Sequence, residues 1–158
     1  MADKPIILVV DDEQGIIDNV STILTSTGLY TVIASLSASD ALQIIKKNQT
    51  LLGFGKNNIR LIISDIKMPE MDGLQFMKEV RLEYPGIGFL FLTAFEDREK
   101  RAKAREGKAA AYLRKPFSEA ELLAVVKRFF DGKEDWMIEQ TKWELLGKDQ
   151  DEEGGPNK

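Results

Sequence analysis

The 158-residue chain contains no cysteine and no histidine. Without thiols it has no disulfide, no thiolate nucleophile and no sulfur-ligated metal. Without imidazole it has no Ser-His-Asp triad, no histidine metal ligand and no phosphohistidine of its own. Carboxylates and lysines must therefore carry any chemistry. Long apolar runs are also missing: none exceeds five residues, as in Ile6–Val10, which is far too short to span a bilayer. The start Met1-Ala2-Asp3-Lys4-Pro5 lacks the basic and then apolar stretches of a secretory signal. A cytoplasmic chain with no membrane partner is the expectation. Positive charge is not in excess either. With 22 basic and 26 acidic residues the net charge is −4, so no general attraction to nucleic acid follows.

What is present is ordinary for a folded domain: 43% hydrophobic and 30% charged residues in a length that suits one core. Five short apolar runs, Ile6–Val10, Tyr30–Ala34, Ile59–Ile63, Phe89–Leu92 and Ala110–Leu113, alternate with segments of helical periodicity. That alternation predicts an α/β fold with a parallel sheet, and runs apolar at every position suit strands covered on both faces. Ile16, Val20, Ile23 and Leu24 share one helical face, as do Leu122, Val126, Phe129 and Phe130. Gly28, Gly107 and Gly132 follow periodic segments, where a left-handed residue can close a helix. Asp72 with Gln75, and Ser118 with Glu121, have capping-box spacing. Asn48 to Asn58 reads as a long connection. We expect a folded domain over 1–132, an amphipathic helix or linker with Trp136 and Trp143 over 133–148, and a disordered acidic tail over 149–158.

Ligands of an open parallel α/β sheet gather beyond the carboxyl ends of its strands. In this chain those ends are Asp11-Asp12-Glu13, Ser64-Asp65, Thr93-Ala94 and Arg114-Lys115-Pro116. Carboxylates crowded at one edge stay ionised cheaply only around a cation. An oxygen-only ligand set favours Mg²⁺. Lys115 adds a point charge and Thr93 a hydroxyl, both suited to phosphoryl oxygens. Asp65, on the central strand, is then the natural nucleophile.

The motifs Leu8-Val9-Val10-Asp11-Asp12-Glu13, Ile63-Ser64-Asp65-Ile66-Lys67-Met68-Pro69-Glu70-Met71-Asp72-Gly73, Leu92-Thr93-Ala94 and Tyr112-Leu113-Arg114-Lys115-Pro116-Phe117 stand in this order. Over roughly residues 5 to 131 the sequence resembles the receiver domain of bacterial two-component response regulators. The resemblance implies a flavodoxin-like (βα)5 fold, a doubly wound sheet of five parallel strands in the order 2-1-3-4-5. It implies Asp65 as phosphoacceptor, and Mg²⁺ held by Asp12, Asp65 and the Lys67 backbone carbonyl, with Asp11 acting mainly through water. Thr93 and Lys115 would hold the phosphoryl oxygens. Tyr112 would be the switch aromatic that moves inward with Thr93, and the Lys115-Pro116 peptide would be cis. The donor would be the phosphohistidine of a sensor histidine kinase or a histidine phosphotransfer protein. The output face would combine the family's fourth helix, fifth strand and fifth helix. Phe95 and the Lys67 side chain are expected to shield the acyl phosphate from water.

Other readings of these residues are weaker. An Asp-Asp pair after a strand is by itself more often a turn or cap. Gly53-Phe54-Gly55-Lys56 lacks the first glycine and the final hydroxyl residue of a nucleotide loop. The basic stretch Arg98–Lys108 reads as a solvated helix face. A Mg²⁺-dependent phosphatase with an aspartyl nucleophile is the alternative function, but its Asp-x-Asp after the first strand is absent. Flavin mononucleotide binding would set a phosphate against Asp11, Asp12 and Glu13. Only 26 residues follow Gly132, too few for an effector domain. That leaves a stand-alone regulator or a fragment of a longer protein, with an unknown effector. A homodimer through the output face or the tryptophan segment is a further expectation.

Overall fold

A computed structural model describes residues 3–50, 56–94 and 111–131. Five strands form one sheet: β1 (Ile6–Val10), β2 (Thr31–Ser35), β3 (Ile59–Asp65), β4 (Gly88–Thr93) and β5 (Ala111–Arg114). Every pairing is parallel, and the order is β2-β1-β3-β4-β5, as expected. Four helices are described: α1 (Gln14–Ser26), α2 (Ala38–Lys47), α3 (Gly73–Glu83) and α4 (Glu119–Phe130). None of them is long and apolar enough to cross a membrane. Phe95, the basic stretch Arg98–Lys108, Gly107, the Gly53–Gly55 loop, and the segments expected over 133–148 and 149–158 lie outside the described residues. So does the element expected as the family's fourth helix.

Side chains alternate along each strand and so build two cores. One holds Leu8, Val10, Ile62, Phe89, Phe91 and Tyr112 against α2 and α3, and the other holds Ile7, Val9, Ile63, Leu90 and Leu92 against α1 and α4. Each fully buried side chain of this size contributes about 1.5–3 kcal/mol relative to exposure. The expectation of strands covered on both faces holds for β1, β3 and β4. It fails for β2, where Thr31 and Ala34 are exposed, because β2 is a sheet edge with one strand neighbour. On α1 Ile17 is buried along with Val20, Ile23 and Leu24, while Ile16 is only partly covered. The apolar stripe is wide enough to include both neighbours, and the sequence pattern does not say which one faces the sheet.

A small irregularity sets the phase of the central strand. Ile6 pairs with Ile59, but Ile7 pairs with Leu61, so Arg60 is an extra, solvent-exposed residue. After this bulge Val10 pairs with Ser64, and Asp11 therefore comes abreast of Asp65 at the sheet's carboxyl end. A one-residue slip would send every side chain of β3 to the opposite face.

Helix termini follow local chemistry. Ser118 and Glu121 form the reciprocal capping box at α4. Asp72 caps α3 by accepting from the backbone of Leu74 and Gln75, at 3.0 and 2.9 Å, while the Gln75 amide donates onward to Glu79. Gly28 has φ of 71° just past α1, in the left-handed region that glycine occupies without strain. The Lys115-Pro116 peptide is cis.

Gly73 opens α3 where the chain has turned back from β3, and its N–H donates to the Ile66 carbonyl at 2.8 Å. A Cβ there would overlap the Asp65 carbonyl oxygen and approach Ile66 Cα and Phe91 Cε1, each at 3.0 Å. Backbone, which cannot swing aside, supplies two of those three contacts. Gly73→Ala should therefore destabilise the protein by about 1–3 kcal/mol through overpacking, read as a lower urea midpoint.

Candidate functional site

Strand ends and the turns after them bring the chemistry together. Asp11 follows β1, Asp65 ends β3, Thr93 ends β4 and Lys115 follows β5. Asp11 and Thr93 are fully buried, Asp65 is 8% exposed and Asp12 is exposed. One carboxylate oxygen from each of Asp11, Asp12 and Asp65 lies within 4.8 Å of the other two. Lys115 Nζ stands 3.6 Å from Asp11 Oδ2 and 3.7 Å from Asp65 Oδ1. At those separations the ammonium acts as a shared counter-charge, since a hydrogen bond to either acid would be shorter.

Local backbone aims the acids. Asp11 Oδ1 accepts from the Glu13 N–H at 2.9 Å, and the Asp11 N–H donates to the Ser35 carbonyl at 3.2 Å, tying the turn to β2. Asp65 Oδ1 accepts from the Ile66 N–H at 2.8 Å. The Lys115 N–H donates to the Thr93 carbonyl at 2.8 Å, which holds the lysine beside the end of β4.

The electrostatics are strained. Burial is the main cause that pushes the Asp65 carboxyl up from 3.8 to about 6; Lys115 opposes it, Asp11 adds to it, the Ile66 N–H opposes it and Asp12 adds a last increment. Burial likewise raises the Asp11 carboxyl, against the Glu13 N–H and Lys115. Two buried polar atoms at this edge, Asp11 Oδ2 and Thr93 Oγ1, have no hydrogen-bond partner among the described residues. Such atoms are costly unless a ligand completes them. A hard divalent cation fits the acids, and an oxyanion fits Thr93 and Lys115.

The residues singled out from sequence fall into three groups. Asp11, Asp12, Asp65, Thr93 and Lys115 do meet at one edge. Tyr112 stands one layer below, with its ring 1% exposed and packed 5.8 Å from that of Phe91. The Lys67 side chain is exposed on the loop that leaves Asp65, and its supposed shielding companion Phe95 lies outside the described residues. Sequence reading overlooked Glu70, whose φ of 69° is unusual for a non-glycine residue. It also gave no role to Gly73, although the Asp72-Gly73 pair, where a capping residue meets one without a side chain, was a visible signal.

Comparison with known proteins agrees with this geometry. The response regulator receiver domain family matches residues 7–127. The chain belongs to that family. Among curated relatives, the receiver is 31% identical to response regulator Rre1 of Synechocystis over 129 residues, covering 80% of this chain and 52% of Rre1. It is 32% identical to response regulator SaeR of Staphylococcus aureus, covering 74% of this chain and 46% of SaeR. The chain thus spans about half the length of the curated relatives it matches. Among solved structures, the chemotaxis protein CheY4 of Vibrio cholerae superposes with a TM-score of 0.69 at 31% identity, covering 80% of this chain and 99% of CheY4. The match assigns the receiver to the response regulators of two-component systems and does not favour the phosphatase alternative.

The acid cluster has a measurable signature. A carboxyl whose folded value exceeds its unfolded one binds its proton more tightly in the folded state, so stability falls as pH rises through that interval. For Asp65 the interval runs from 3.8 to about 6, and the cost of ionisation is fully present above it. In metal-free buffer, Asp65→Asn should raise stability at pH 7.5 by about 1–3 kcal/mol, and the gain should shrink toward zero as pH is lowered to about 4. Urea denaturation of both proteins across that range measures it.

Proposed function

We propose that this receiver is a phosphorylation switch in which the Asp65 carboxylate accepts a phosphoryl group from a partner's phosphohistidine. The observation that carries the reading is the convergence of three carboxylates within 4.8 Å with one lysine shared between Asp11 and Asp65. A phosphatase with an aspartyl nucleophile would carry Asp-x-Asp after its first strand, where this chain has the adjacent pair Asp11-Asp12. The reading is therefore a stoichiometric acceptor.

Asp11, Asp12 and Asp65 would hold Mg²⁺, together with the Lys67 carbonyl. The ion, when bound, neutralises the phosphoryl oxygens and the crowded acids. The remaining steps belong to the chain's own groups. Lys115 lowers the proton affinity of Asp65 and so keeps its carboxylate ionised. An Asp65 oxygen attacks phosphorus in line; the new O–P bond forms as the P–N bond breaks, and the electron pair leaves on the donor's imidazole nitrogen, which takes up a proton. Lys115 and the Thr93 hydroxyl then bind the peripheral oxygens of the acyl phosphate.

The product changes the balance inside the domain. Thr93 Oγ1, which has no partner among the described residues, gains one in the phosphoryl group. That gain biases the equilibrium between two arrangements of Thr93 and Tyr112. The surface that includes β5 and α4 would pass the change to an effector. The donor is a sensor histidine kinase or a histidine phosphotransfer protein, which fits a cytoplasmic protein.

Labelling tests the reading directly. With radiolabelled acetyl phosphate and Mg²⁺, the unaltered chain should take up about one phosphoryl group per molecule, while Asp65→Ala should lose at least about 100-fold in initial rate. Chelation should abolish the uptake, and added Mg²⁺ should raise the urea midpoint of the unaltered protein more than that of Asp12→Asn. Equal labelling of the Asp65→Ala protein would refute the assignment.

A further inference from the structure

A row of rings joins the acid edge to Tyr112. Phe76, Phe89, Phe91 and Tyr112 lie in the core between the sheet and α2 and α3. Neighbours in the row have ring centroids 5.8 Å apart in every case. Phe91 is the member with contacts on both sides of the signalling problem. On one flank it is directly opposite Tyr112 in the β4–β5 register. On the other flank its Cε1 would stand 3.0 Å from a methyl group placed on Gly73, the first residue of α3. A methyl group there would also meet the Asp65 carbonyl oxygen and Ile66 Cα, and the Gly73 N–H is bonded to the Ile66 carbonyl. Phe91 is fully buried, and its strand ends two residues later in Thr93, whose side chain shares its face.

We infer that Phe91 is a positioning residue that carries the state of the Asp65–Gly73 backbone to the Tyr112 ring, along a path separate from Thr93. The inference rests on the phosphoacceptor reading above and adds a mechanical link to it. Close-packed interiors transmit displacement, because no void takes it up. A phosphoryl group on Asp65 that draws in the following loop shifts Ile66 and Gly73 against the Phe91 ring. The ring in turn packs against the rings of Phe89 and Tyr112. Thr93 acts on Tyr112 by changing the space above it, whereas Phe91 acts by direct contact from the side. Both bias the same two-state element, which is the condition for real coupling.

The test reads Tyr112 in the full chain. The protein has three tyrosines, Tyr30, Tyr84 and Tyr112, so 3-fluorotyrosine labelling gives a ¹⁹F spectrum in which Tyr112→Phe assigns one resonance. The quantity is the displacement of that resonance between protein with Mg²⁺ alone and protein saturated with Mg²⁺ and beryllofluoride. Phe91→Leu should shrink the displacement about threefold or more, while Phe89→Leu, an equal truncation one ring further from Tyr112, should leave most of it. Urea midpoints of the two variants verify that both are folded and comparably destabilised. A Tyr112 displacement in Phe91→Leu equal to that of the unaltered chain would overturn the inference, as would an equal loss in Phe89→Leu, which would mark a general loosening of the core. No beryllofluoride response at any tyrosine of the unaltered chain would instead overturn the phosphoacceptor reading and remove the basis of this one.

Discussion

Two carboxylates, Asp11 and Asp65, are buried side by side at the end of a sheet with, among the described residues, one ammonium, that of Lys115, between them, and the rest of the molecule is arranged around that imbalance. Lys115 cannot neutralise both acids at once. The folded chain therefore carries a site whose free energy improves when cationic charge arrives and when one acid changes its bonding. A scaffold that tolerates such a site must be rigid elsewhere. Here the two cores on either face of the sheet provide that rigidity.

The position of the imbalance follows from parallel topology. All five strands point the same way, so their carboxyl ends and the turns that follow share one edge, and functional groups distant in sequence meet there. The bulge at Arg60 then decides which face and which level each group of β3 occupies. Gly73 seals the arrangement from below, since α3 can start directly beneath Asp65 only with no side chain at that point. The crowded charge at the acid edge and the dense packing beneath it meet at the end of β4, where Thr93 follows the buried Phe91 on the same face.

Much of this was legible before any coordinates. The alternation of apolar runs with helical periods was enough for an α/β class, because strand and helix burial impose different repeats. The four motifs after the strand ends, together with their resemblance to receivers, marked Asp11, Asp12, Asp65, Thr93 and Lys115, which meet at the edge. Less legible were features that depend on neighbours in space. Ile16 and Ile17 look alike as sequence, yet only packing against the sheet buries the second more deeply. The run Tyr30–Ala34 looks as buried as any other, but β2 stands at the edge and exposes Thr31 and Ala34.

By itself, then, the sequence determined the repertoire: with neither thiol nor imidazole, only carboxylates, a lysine and a hydroxyl were left to act, and their places after apolar runs put them at strand ends. Tertiary structure decided the quantities that make those groups a site. The burial that lifts Asp65 to about 6, the 3.6 and 3.7 Å reach of Lys115, and the packing of the Phe91 ring on that of Tyr112 arise only when distant segments close on one another. Desolvation and contact are properties of the assembled fold, and no residue carries them alone.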